Sequence, residues 1–110
     1  MALKERARKQ SANKDLYDQA IIYFEGEDYG QAIKIFHEAV QGGYVLSASD
    51  MKKVESAYAT QKDRLDKLIN RCYKMVDLGR TPLRPIKDLE EERKQLMDWH
   101  TALKSAFRPE

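Results

Sequence analysis

The chain has 110 residues, 42% of them hydrophobic and 35% charged, with a formal net charge of +2. That is material for one modest core under a heavily solvated surface, and no stretch approaches the roughly 18 to 20 apolar residues that span a bilayer. A single cysteine, Cys72, excludes an internal disulfide and makes a reducing, cytoplasmic compartment the expectation.

Residues 1–14, "MALKERARKQSANK", carry Lys4, Arg6, Arg8, Lys9 and Lys14 against Glu5, a net +4 that leaves −2 for the remainder. The segment has no apolar central run and is not read as a signal peptide. It reads as a basic arm or the frayed start of a helix. Leu3, Ala7 and Ala12 suit a helix, whereas cations at its N-terminus oppose the macrodipole. The basic character is therefore assigned to the arm, and not to the helical domain expected over residues 15–107.

From Asp15 to Glu25, Leu16, Ala20 and Tyr23 recur at helical spacing, and Tyr17, Ile21 and Phe24 form a second stripe one position round. Such a wide apolar face needs cover on more than one side. Gly26 is expected to stop this helix, and Asp28 to cap the next. The second helix, Tyr29 to Gln41, offers Ala32, Ile33, Ile35, Phe36, Ala39 and Val40 to the interior, and the Gly42-Gly43 pair ends it. Ser47 and Asp50 have the spacing of a capping box ahead of a long helix, Asp50 to Leu78, whose apolar stripe Gln61 interrupts. A helix of that length, about 42 Å at 1.5 Å per residue, is expected to project past the first hairpin or to meet a partner along its length. Gly79 ends it. Thr81 and Arg84 each precede proline and are extended. Pro85 opens the last helix, Ile86 to Phe107, where Glu90 and Lys94 are set for an i,i+4 pair. Leu89, Leu96 and Leu103 repeat at seven. The fold class is all-α: two antiparallel helical hairpins.

The order Leu16, Ala20, Tyr23, Tyr29, Ala32, Phe36 and Ala39 resembles one tetratricopeptide repeat over about residues 13–46. Small residues there let two helices approach while bulky ones fill the flanking gaps. The family's Trp is Leu16 in this chain, and Tyr44 stands where its terminal Pro would be. No second copy follows, so Met51 to Phe107 must cover the repeat. Tyr29, Ala32, Phe36 and Ala39 also resemble the second helix of the microtubule-interacting-and-trafficking domain, a three-helix bundle. The tetratricopeptide resemblance implies partner binding on the face of the first helix, at Lys14, Tyr17, Ile21 and Phe24. Chaperone-tail binders of that family carry Lys and Asn where this chain has Tyr17 and Ile21, so the carboxylate clamp is absent and chaperone C-terminal tails are not the implied partner.

Each candidate has a plainer reading. Tyr17, Ile21 and Phe24 form either a groove or core beneath the second hairpin. His100 lacks an identifiable nucleophile or carboxylate partner and reads as a packed or surface histidine, like His37. Glu25, Glu27 and Asp28 lack the ligand ladder of a calcium loop, and Cys72 reads as a small core residue. No catalytic motif, metal set or cofactor box is present, so neither enzyme chemistry nor a cofactor is expected. The leading expectation is a non-enzymatic module, an adaptor or assembly subunit, that binds an apolar or amphipathic segment of a partner protein in helical or extended form. One alternative is nucleic-acid or anionic-surface binding through Lys4, Arg6, Arg8 and Lys9; nucleic acid is weakened by the absence of interleaved aromatics. The other is homodimerisation through the long helix.

Overall fold

The helix from Tyr29 to Gln41 has apolar side chains on most of its circumference, so it is stable only when enclosed. The computed structural model of the chain, which describes residues 2–107 and side chains from Asn13 to Phe107, encloses it. Four α-helices follow in order: α1 Ala2–Glu25, α2 Tyr29–Gln41, α3 Ala48–Asp77 and α4 Ile86–Ala106. No strand occurs among the described residues. The fold is all-α, as expected. The helix carrying the basic arm runs back to Ala2, while the side chains of Lys4, Arg6, Arg8 and Lys9, and any fraying there, lie outside the described residues.

α2 packs closely on each of the other three helices, whereas among the described residues α1 packs closely on α2 alone. Ala20, Ala32, Ile33, Phe36 and Ala39 are all fully buried at the centre of this arrangement. Val54 and Ala57 of α3 and Leu96 and Leu103 of α4 close it from the other side. The small residues allow close approach of the helix axes, and the branched and aromatic ones fill the space between.

Three helix ends share one hydrogen-bond pattern. Tyr44 N–H donates to the Ala39 carbonyl at 3.0 Å, Arg80 N–H to Met75 at 2.7 Å and Asp28 N–H to Tyr23 at 2.9 Å, each beside a shorter-range bond from the preceding residue. This six-to-one closure needs its penultimate residue in the left-handed region. Gly43 (φ 107°) and Gly79 (φ 75°) supply it at no steric cost, but at the first turn the residue is Glu27 (φ 61°). Gly26 therefore does not terminate α1 through its conformational freedom; its N–H still bonds to Ile22, one turn back.

Ser47 and Asp50 make the expected reciprocal capping box, with Asp50 N–H to Ser47 Oγ at 3.1 Å and Ser47 N–H to Asp50 Oδ2 at 3.0 Å. Two other local expectations are corrected. Asp28 occupies the cap position of α2 but makes no side-chain cap bond. Glu90 accepts from the Tyr73 hydroxyl across the α3–α4 seam, a bond that competes with the anticipated partner Lys94.

α3 is 30 residues long and α2 only 13. The N-terminal end of α2 lies level with Arg64, whose guanidinium sits 5.1 Å from the Tyr29 ring centre and donates to the Glu27 carbonyl at 3.2 Å. The last turns of α3 and the first turns of α4 therefore continue past the body as a two-helix arm. The molecule measures 63 × 28 × 24 Å. Ile69, Cys72 and Leu89 are buried along the arm's seam. Arg93 to Asp66 at 2.9 Å and Arg84 to Glu92 at 2.8 Å brace its flanks.

Candidate functional site

The stripe singled out on α1 divides into two parts. Tyr17 is tied into the domain. Its hydroxyl donates to Asp50 Oδ1 at 2.6 Å, its ring stacks on Tyr44 at 4.7 Å, and its edge meets Phe36 at 6.0 Å. The Asp50 side chain is buried and takes Ser47 N–H on its second oxygen, so both oxygens are satisfied. The hydrogen bond to Asp50, with burial added, pushes the Tyr17 hydroxyl well above its ordinary value. Burial, with the nearby charges of Asp50 and Asp18, raises Tyr44 as well. Both phenols are thus held neutral, which suits a structural or ligand-contacting role and opposes one as a base.

Ile21 and Phe24 are half-buried against the same core, and Phe24 meets the Tyr29 ring edge-on at 5.6 Å. Lys14 is exposed beside them. Among the described residues α1 packs closely only on α2, and its outer side is open at Ile22, 67% exposed, and Tyr23, 37% exposed. The structure thus brings Tyr17, Ile21 and Phe24 onto one half-buried strip, with Lys14 at its solvent edge. The tetratricopeptide-like order is not packed uniformly: its alanines and Phe36 are buried, while Tyr23 reaches solvent.

Two further groupings were not visible in the residue order. His100 Nε2 lies 2.9 Å from Glu55 Oε2, and its ring stacks on Tyr58 at 3.7 Å. The carboxylate partner exists but comes from 45 residues away, which no local spacing reveals. Trp99 packs on the core and faces His37 at 6.4 Å. It lines an open cleft of about 300 Å³ between α2, α3 and α4, together with Lys34, Gln61, Glu92 and Gln95. That lining is mixed, with Leu65 and Leu96 beside Trp99 among the polar residues. Among the described residues no cluster of three His, Cys, Asp or Glu side chains is placed to hold a metal ion. Cys72 is fully buried, as a core residue. Among the described residues no helix is long and apolar enough to cross a membrane. No protein-family model matches this sequence, and no curated protein or solved structure matches it significantly.

Proposed function

We propose that the chain is a non-enzymatic protein-interaction module, an adaptor or assembly subunit, whose α1 face receives an apolar or amphipathic segment of a partner protein. One observation carries this reading: α1 is closely covered on one side only, which leaves Ile22 exposed and Ile21 and Phe24 half-buried on a helix whose inner face is locked by Tyr17. A segment laid along α1 would complete the burial of Ile21 and Phe24, with Lys14 available to a carboxylate at its edge. The resemblance to a tetratricopeptide hairpin points the same way, since the first helix supplies the binding face in that family.

The test is a peptide selected from a displayed library on the full chain, mapped by NMR. Shifts are expected at Tyr17, Ile21 and Phe24, and Ile21→Asp is expected to weaken the peptide at least tenfold while lowering the melting temperature only modestly. Shifts confined to other helices would overturn the assignment. Unfolding of Ile21→Asp would identify the stripe as core.

A further inference from the structure

α1 changes sign near its midpoint. Residues 1–14 carry Lys4, Arg6, Arg8, Lys9 and Lys14 against Glu5 alone, whereas residues 15–28 carry Asp15, Asp18, Glu25, Glu27 and Asp28 and no cation. These five acidic residues are exposed, and among the described residues none is in an ion pair. Glu27 and Asp28 also precede α2, whose N-terminus they suit. Arg64, the cation that α3 brings to this turn, is engaged by the Glu27 carbonyl and the Tyr29 ring. On α1 itself the order of charge is unfavourable. The net positive half opens the helix, and Glu25 stands in a last turn that holds no cation, both against the macrodipole. A continuous helix does not fold one half onto the other, and only Lys14 of the five cations lies within one turn of the acidic half. Within one copy the two halves therefore go largely unanswered.

We propose that a second copy of the chain occupies the open side of α1, paired antiparallel about a two-fold axis, so that the basic arm of each copy lies along the acidic half of the other. This rests on the reading of the α1 face as a docking face and names its occupant. Charge complementarity selects it. Antiparallel pairing centred near Lys14 sets each half of a 24-residue helix on its opposite, and each macrodipole against the other. The basic half is free of α2 along its length: Asn13 donates to the carbonyl of Gly42, just past the end of α2, and the residues of α1 before Asn13 continue beyond it. The same contact covers Ile22, which is 67% exposed on the open side. Other occupants answer one half only. A basic foreign segment would leave the cations of the arm against the dipole, and nucleic-acid phosphates would leave the carboxylates.

Sedimentation velocity of the full chain over a range of concentrations tests it. The parent is expected to form a dimer that weakens at least about tenfold between about 0.05 M and about 0.5 M salt. Lys4→Glu/Arg6→Glu/Arg8→Glu/Lys9→Glu makes both halves acidic, and Asp15→Lys/Asp18→Lys/Glu25→Lys gives both halves of the helix basic character. Each variant alone is expected to associate at least about a hundredfold more weakly than the parent, and their equimolar mixture to recover to within about tenfold of it. Each reversal agrees with the macrodipole, so helix content by circular dichroism should hold; recovery on mixing is what a disturbed fold would not give. A parent that stays monomeric at low salt overturns the proposal. If a selected peptide still shifts Tyr17, Ile21 and Phe24 in that case, the α1 face keeps its docking role and a foreign segment replaces the second copy. A dimer that both variants retain overturns it in favour of another surface, such as the long helix. Variants that stay apart when mixed overturn it as well.

Discussion

The body and the arm are built partly from the same two helices, yet they are held together differently. In the body, α3 and α4 enclose α2, and Ala32, Ile33, Phe36, Val54, Ala57 and Leu103 lose all contact with water. Beyond Arg64 the two helices have only each other. Their buried seam narrows to Ile69, Cys72 and Leu89, and hydrogen bonds between side chains cross it at Asp66–Arg93 and Tyr73–Glu90. An ion pair as exposed as Asp66–Arg93 contributes about 0 to 1 kcal/mol, so the seam residues and continuity with the body must hold the arm. Enclosure is expected to make the body a single cooperative unit and to leave the arm as the part able to open on its own.

Four substitutions probe that difference. The largest effect is expected for Phe36→Ala, which empties the middle of the enclosed helix and should cost about 3 to 5 kcal/mol, measured by urea unfolding. A loss under about 1 kcal/mol would mean the centre is loosely packed. Leu89→Ala should cost about 2 to 3 kcal/mol, but as local opening: the Cys72 thiol should become reactive while amide exchange in α2 hardly changes. Equal acceleration of exchange in α2 would show that body and arm open as one unit.

Gly42→Ala comes next. A Cβ there would stand 2.0 Å from Asn13 Oδ1, and Asn13 donates to the Gly42 carbonyl. The expected cost is about 1 to 2 kcal/mol, largely removed when Asn13→Ala is already present; a double-mutant cycle with no coupling would refute the clash. Tyr17→Phe is expected at about 1.5 kcal/mol, the low end for a hydrogen bond to a charged group. Because the folded Tyr17 hydroxyl titrates above its ordinary value of 10.0, its contribution is complete below that pH and disappears as pH rises further. The parent should therefore lose stability through the alkaline range more steeply than Tyr17→Phe, and parallel profiles would contradict the Asp50 hydrogen bond.

What was readable in the sequence was what depends on neighbours along the chain. Helical periodicity and the Gly-Gly and Pro-rich interruptions announce an all-α chain, and Ser47 and Asp50 announce their own capping box because both partners sit within one turn. Cys72 falls on an apolar stripe and is buried. What depends on folding was not readable. Tyr17 finds Asp50 from 33 residues away, and His100 finds Glu55 from 45. Glu90 had a helical neighbour of opposite charge, but the phenol of Tyr73 lies across the seam and competes for it. Whether the α1 stripe serves as a groove depends on what covers it, and local spacing does not encode that.

The turn between α1 and α2 carries a consequence for how the chain folds. Glu27 occupies a left-handed conformation that a side-chain-bearing residue adopts at a cost of about 1 kcal/mol. Local bonds from Glu27 N–H to Phe24 and from Asp28 N–H to Tyr23 close the turn, and a further bond, from Arg64 to the Glu27 carbonyl, arrives 37 residues later in the chain. The bend of the first hairpin thus gains one of its bonds from a residue outside the hairpin. A nascent chain ending before Arg64 has both helices but lacks the clamp on their bend, so the hairpin and the long helix are expected to gain their final geometry together, in one late and non-local step.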